Sequence, residues 1–114
     1  MASTFEYWKS TKDSQYWFHL KEDGNHEIIL SSTEGYKSEQ ACLNGIASTK
    51  QNAPYDQNYD KLTGRDGKYY FTLKAGNGEP VSKSEGYNNS YSRDKGIENC
   101  KYEAPRASVK KIAR

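Results

Sequence analysis

Tyr16-Trp17-Phe18-His19-Leu20-Lys21 and Tyr69-Tyr70-Phe71-Thr72-Leu73-Lys74 are one strand pattern written twice. More of the chain repeats around them. Glu34-Gly35-Tyr36 returns as Glu85-Gly86-Tyr87, Gly45-Ile46 as Gly96-Ile97, and Ala53-Pro54 as Ala104-Pro105. The offset falls from 53 at the strand to 52 at Gly24-Asn25 and 51 from Glu34 onward. The first copy therefore carries an extra residue near Glu22-Asp23 and another between Ile28 and Thr33, which a changed turn or a β-bulge absorbs. The period lies just beyond the usual solenoid range, and two copies are too few to stack as an array. The spacing instead predicts two copies, 1–57 and 58–114, sharing one core about a pseudo-twofold axis in a single compact α+β domain.

Strict alternation puts Tyr16, Phe18 and Leu20 on one face of a strand and Trp17, His19 and Lys21 on the other. The second copy repeats this with Tyr69, Phe71 and Leu73 against Tyr70, Thr72 and Lys74. A strand over Thr4–Lys9 precedes the first motif, across a turn around Lys12-Asp13-Ser14. The turn before the second, Arg65-Asp66-Gly67-Lys68, contains Asp-Gly, a dipeptide that accepts the positive φ angles of a tight hairpin. Third strands follow at Glu27–Ser32 and Glu79–Lys83, where Pro80, lacking an amide hydrogen, belongs at a strand start or a sheet edge. Each Glu-Gly-Tyr then leads into a helix capped by Ser38 or Asn89, its glycine allowing the bend.

Those helices present thin stripes, Cys42, Ile46 and Thr49 in one and Arg93, Ile97 and Cys100 in the other, so they depend on docking against a sheet. Pro54 and Pro105 stop them. Asn58–Leu62 and Ala107–Ile112 are the expected closing strands of the two β-β-β-α-β copies. Gly45 and Gly96 occupy matching mid-helix positions, where glycine costs about 0.5–1 kcal/mol relative to alanine. Their recurrence points to a close approach of the helix to its neighbours.

Aliphatic residues are scarce, but the net charge is only +2, and ten Tyr and two Trp sit at periodic positions. That composition implies a small aromatic core rather than disorder. Neither a membrane-spanning apolar run nor a basic-then-apolar start is found, so a cytoplasmic protein without a membrane partner is expected. Charge divides unevenly. Residues 1–57 hold 5 Lys/Arg and 8 Asp/Glu, and residues 58–114 hold 12 and 7, giving −3 and +5. The plainer account is that the halves complement each other. The sharper one has Arg106, Lys110, Lys111 and Arg114 meeting an anionic partner.

Taken in order, Phe-x-Leu-Lys, Gly-Asn-x-Glu, Glu-Gly-Tyr-x-Ser, a helix with Gly-Ile, and Asn-Ala-Pro resemble the YegP-like family of small bacterial proteins, over most of the chain from Phe5 to Ile112. The resemblance implies tandem β-β-β-α-β units in a single antiparallel sheet, two helices on one face, and the last strand of each unit swapped into the other. It implies no activity, substrate or cofactor. Pro80, in place of an aliphatic residue, and Arg93, as counterpart of Cys42, depart from the pattern.

No catalytic constellation emerges. Two cysteines and two histidines are too few and wrongly spaced for a zinc cage, so no metal or other cofactor is expected. Cys42 opens one helix and Cys100 closes the other; antiparallel helices would make those ends neighbours, but in a reducing compartment two thiols are the default. His26 falls in a turn, and His19 projects from a strand with no serine or cysteine placed to use it. Gly76-Asn77-Gly78 lacks the following helix of a phosphate loop, and a paired acid at Glu34 and Glu85 is a weak alternative.

What remains is the sheet face opposite the helices, carrying Trp17, His19, Lys21, Tyr70, Thr72 and Lys74. Aromatics with interleaved bases there suit a protein partner or a second copy of the chain. Single-stranded nucleic acid is the alternative, through stacking on the aromatics and phosphate contacts from the basic residues of this face and of the C-terminal strand. A third account is that large aromatics simply suit a pleated surface.

Overall fold

In a computed structural model, which describes residues 2–114, nine main elements follow one another. They are β1 (Ser3–Lys9), β2 (Tyr16–Glu22), β3 (Ile28–Ser32), α1 (Glu39–Asn52), β4 (Tyr59–Thr63), β5 (Tyr69–Lys74), β6 (Pro80–Lys83), α2 (Ser90–Glu103) and β7 (Ser108–Lys111). The seven strands form one sheet in the order β4-β5-β6-β3-β2-β1-β7. The inward residues of the sheet and the thin helical stripes meet in one buried cluster that includes Phe5, Phe18, Phe71, Ile46 and Ile97. Both helices therefore lie on the same face.

The two halves make matching contacts. Phe5 stands opposite Leu20, and Tyr59 opposite Leu73. Phe5 meets Phe18 edge-on at 6.0 Å and 69°, as Tyr59 meets Phe71 at 5.6 Å and 63°. Phe18 stacks on Tyr36 at 6.2 Å, as Phe71 stacks on Tyr87 at 6.4 Å. The Tyr16–Tyr36 and Tyr69–Tyr87 bridges hold each Glu-Gly-Tyr corner to its sheet through two backbone hydrogen bonds of 2.7–2.9 Å. Ser32 Oγ accepts from Phe18 N–H, and Ser84 Oγ from Phe71 N–H.

That serine pair places one extra residue of the first half at Thr33, after β3. The other lies in the turn after Glu22. Both β2–β3 and β5–β6 carry the same register break, so the bulge is shared and is not the insertion. Positive φ recurs too. Ser14 (57°) and His26 (60°) stand where the second half has Gly67 (80°) and Gly78 (86°), so only the first half bears side chains at these strained positions.

Two expectations need correction. The sheet is mixed rather than antiparallel, because β7 runs parallel to β1. No hairpin ties those strands, and a long connection leaves the parallel direction open to them. The strand expected over Asn58–Leu62 is present as β4, which pairs with β5 in antiparallel fashion, as β1 pairs with β2. The Asp66-Gly67 turn is not a two-residue hairpin with two positive φ angles. Gly64 N–H donates to Lys68 C=O at 2.8 Å, and only Gly67 is left-handed.

The helices start as their caps dictate, with Ser38 Oγ accepting from Ala41 N–H and Asn89 Oδ1 from Ser92 N–H. α2 gives way to a 3-10 turn that contains Pro105. Among the described residues, charge complements across the halves where Lys111 reaches Glu39 (3.5 Å) and where Lys101 reaches Asp56 (2.8 Å). Both pairs are exposed and add little stability.

Ser82 Oγ is buried without a hydrogen-bond partner among the described residues. Ser82 faces Leu73 as Leu30 faces Leu20, so a hydroxyl stands where the first half has a methyl-bearing side chain. Ser82→Ala removes an unsatisfied group and should raise the unfolding free energy by about 1 kcal/mol. A lower melting temperature for this variant would contradict that account.

Candidate functional site

The face opposite the helices is built by alternate residues of β1, β2, β5 and β6. Glu6 and His19 are directly paired across β1–β2, as are Trp8 and Trp17. Glu6 is the electrostatic centre of the face. Its carboxylate accepts from His19 Nε2 at 2.8 Å and Lys21 Nζ at 3.1 Å. Burial alone would raise the Glu6 carboxyl, but the bonds from His19 and Lys21 outweigh it and hold it below the ordinary carboxylate range. In the second half, Lys74 pairs with Asp60 at 3.2 Å. Thr72 lies between strands, opposite Asp60 on β4 and Lys83 on β6. Six residues were expected on this face, and all six are half-buried there rather than standing free.

Trp17 and Tyr70 are held by matching tethers. Trp17 Nε1–H donates to Asp13 (3.3 Å), and the Tyr70 hydroxyl donates to Asp66 (2.6 Å). Each aspartate also accepts a backbone N–H of its own turn, from Gln15 and Lys68. The rings lie across Gly35 and Gly86: a Cβ at Gly35 would come 2.8 Å from the Trp17 ring, and one at Gly86 3.1 Å from Tyr70. Neither glycine has a positive φ. These glycines are required for space, not for the bend they were expected to allow.

Sequence reasoning did not place three contributors on this face. Trp8 lies beside His19 with ring centroids 5.0 Å apart, and the Arg114 guanidinium sits 4.1 Å from its ring centre. Lys83 projects from β6 near the middle of the sheet and is exposed. Together with Trp17, His19 and Ile28 they line an open depression of about 580 Å³. Trp8 was legible from the alternation of β1, had its pairing with β2 been carried through. Arg114 was legible only as part of a basic C-terminal cluster and not as a neighbour of Trp8, and Lys83 comes from a distant segment.

The other basic residues are mostly engaged. Arg106 packs 4.0 Å over Tyr102 and donates to its carbonyl, and Arg93 stacks on Tyr69 at 5.5 Å. Lys83 and Lys110 make no ion pair among the described residues. Glu34 and Glu85 are exposed; Glu85 borders the same depression as His19, whose ring is bonded to Glu6 instead, and His26 is an exposed turn residue. No group of three or more His, Cys, Asp or Glu able to hold a metal occurs among the described residues, and no helix is long and apolar enough to cross a membrane.

The family profile described as a domain of unknown function, DUF1508, matches residues 12–60 and again 65–110. The chain belongs to the DUF1508 family. Its curated relatives include a UPF0339 protein in the ptx operon 5′ region of Stutzerimonas stutzeri, 42% identical over 112 residues and 98% of each chain. Another is the UPF0339 protein YegP of Escherichia coli (strain K12), 42% identical over 96% of this chain and 97% of its own. The solution NMR structure of E. coli yegP, a protein of unknown function, has a TM-score of 0.88 at 41% identity, covering 99% of this chain and 95% of that one. The UPF0339 protein SO3888 of Shewanella oneidensis gives 0.87 at 34% identity, over 99% and 93%. These two solved DUF1508 structures share the α+β fold.

The two cysteines of this DUF1508 chain are free and fully buried. Burial pushes the Cys42 thiol up to about 11 and the Cys100 thiol up to about 12, from a usual 9.0. Folding therefore favours the neutral thiols, a contribution complete below pH 9 and lost as pH rises through those two values. At pH 8, a thiol reagent should label the native protein at least about 100-fold more slowly than the urea-unfolded chain. Equal rates would place the thiols at the surface.

Proposed function

We propose that this chain is a non-catalytic, cytoplasmic binding module that engages a protein partner through the outer sheet face. In this reading, 1–57 and 58–114 are tandem units whose last strands are exchanged, and the exchange gives the face its two-part width. The observation that carries the proposal is the Trp8–Arg114 stack beside Trp17, with the unpaired Lys83 bordering the same depression. Trp, Tyr and Arg concentrate binding energy at protein interfaces. Rings pinned by Asp13 and Asp66 lose little freedom on binding, which reduces the entropic cost of association.

Single-stranded nucleic acid has less support. Lys21 and Lys74, two of the cations that would hold phosphates, are already matched by Glu6 and Asp60. The deciding experiment is recovery of partners from bacterial lysate, with and without nuclease, by the native chain and by Trp8→Ala. A discrete protein lost with Trp8→Ala and indifferent to nuclease is the expected result. Nuclease-sensitive recovery with a steep salt dependence would move the assignment to nucleic acid. Equal recovery by both chains would remove the face from the function, and a mass that rises with concentration only in the native chain would make the partner a second copy.

A further inference from the structure

One row of the outer face can be followed across the sheet from edge to edge. Lys110 of β7 stands beside Glu6 of β1, and Glu6 beside His19 of β2. The row continues through Ser31 of β3, Lys83 of β6 and Thr72 of β5, and ends at Asp60 of β4. Its two acids are already matched, Glu6 by His19 and Lys21, and Asp60 by Lys74. Lys83, near the middle of the sheet, has only the hydroxyl residues Ser31 and Thr72 as its neighbours in the row. It is exposed and makes no ion pair among the described residues, and the same holds for Lys110.

Arg114 is a further unmatched cation. Its guanidinium packs on the Trp8 ring, a contact that leaves the charge uncompensated, and no carboxylate is paired with it among the described residues. Arg114 and Lys83 both line the depression of about 580 Å³, with Trp17 and Ile28 as its apolar part. An adjoining hollow of about 260 Å³ shares Trp8 and Arg114 and is lined also by the exposed Lys12. The acid on the lining of the larger depression is Glu85, two positions along the chain from Lys83 and not in an ion pair with it.

We infer that this depression takes an extended acidic segment of the protein partner, with one carboxylate on Arg114, another on Lys83, and an apolar side chain between them against Trp17 and Ile28. The inference rests on the reading of the outer face as a protein-binding surface and specifies what the partner presents there. Lys83 on β6 is three strands from Trp8 on β1, about 14 Å at the spacing of neighbouring strands. An extended chain covers that distance in about four residues, and residues two apart share a side. An acid, an apolar residue two positions later and a second acid two beyond it therefore match the three features. Arginine holds a carboxylate through parallel N–H bonds, and the Ser31 and Thr72 hydroxyls offer further donors beside Lys83. Nucleic acid fits less well. Its charge recurs at every residue, so phosphates would also meet Glu85 and Glu6, whereas a peptide places its acids only at the cations. Stacking needs an open ring, but Trp8 is packed by Arg114 and His19, and Trp17 lies across Gly35.

The probe is the peptide Glu-Ala-Leu-Ala-Glu, blocked at both ends and titrated into the isotopically labelled full chain, with amide and indole N–H chemical shifts as the readout. Shifts at the Trp8 and Trp17 indoles and around Lys83 are expected. The uncharged peptide Gln-Ala-Leu-Ala-Gln should bind at least about tenfold more weakly. Lys83→Gln and Arg114→Gln, both exposed changes, should each weaken the acidic peptide by about three- to tenfold and leave the uncharged one unaffected. The melting temperature should stay within a few degrees in both variants. Equal binding of the two peptides, unchanged affinity in both variants, or no shifts at millimolar peptide would overturn the assignment. If Trp8→Ala nevertheless loses a discrete, nuclease-indifferent protein from lysate, only the acidic chemistry falls and the protein-binding face stands. An oligothymidylate that displaces the peptide at lower concentration would overturn the inference in favour of nucleic acid. Shifts at Trp8 that grow with protein concentration in the absence of peptide would overturn it by making the occupant a second copy.

Discussion

Phe71→Ala is expected to lower the unfolding free energy by about 3–5 kcal/mol, and Phe18→Ala by a similar amount. Each ring is almost wholly buried and joins three segments of its half. Phe71 lies on β5, takes the edge of Tyr59 from β4, and stacks on Tyr87 at the entrance to α2. Truncation removes the transfer energy of the ring and leaves a space that β4, β5 and the Tyr87 corner cannot all close at once. A domain of this size has about 5–15 kcal/mol of stability in total, so either variant would be near its limit at body temperature. Urea unfolding with an unchanged slope and a sharply lower midpoint is the expected signature. A loss below about 1 kcal/mol would show that the aromatic triads do not organise the core.

The second large effect belongs to the helix glycines. A Cβ on Gly45 would lie 2.5 Å from Tyr36 Oη and 2.8 Å from its Cζ, and one on Gly96 would meet Tyr87 in the same way. Those separations are far inside the 3.5–4.0 Å at which such atoms attract. The tyrosine rings cannot swing aside without leaving their stacks on Phe18 and Phe71. Overpacking of this kind costs about 1–3 kcal/mol per site. The better helix propensity of alanine returns at most about 1 kcal/mol. Because the two sites lie in different halves, their costs should add in Gly45→Ala/Gly96→Ala. Tyr36→Phe should recover only part of the Gly45→Ala loss, since Cζ remains. A double variant as stable as the parent would mean that the helices have room to retreat from the sheet.

These glycines illustrate what sequence could and could not convey. Their positions showed a close approach, but the partner is the tyrosine of the same half, a contact that depends on how the Glu-Gly-Tyr corner folds back. The β2 and β5 patterns were legible because alternation is local. The cap residues Ser38 and Asn89 were legible for the same reason. The parallel pairing of β1 with β7 was not, since nothing in Ser108–Lys111 specifies which edge it joins. The outer face was half legible. Trp17 and Tyr70 could be placed on it, but their tethers to Asp13 and Asp66 arise from turn geometry, and Arg114 reaches Trp8 only because β7 ends beside β1.

That last strand also governs when the molecule can finish folding. Ser3 Oγ donates to Glu103 Oε1 at 2.9 Å, and Phe5 stands beside Val109, so the closing contacts of β1 join segments about a hundred residues apart in the chain. Contacts of such long sequence separation form late and slow the folding rate. During synthesis, β1 to β3 emerge first and must wait, with the outer edge of β1 bare, until residues 108–111 leave the ribosome. A chain interrupted after α2 keeps that edge exposed and available to other strands. Closure by β7 covers that edge, so β1 becomes unavailable to other strands only once residues 108–111 have docked.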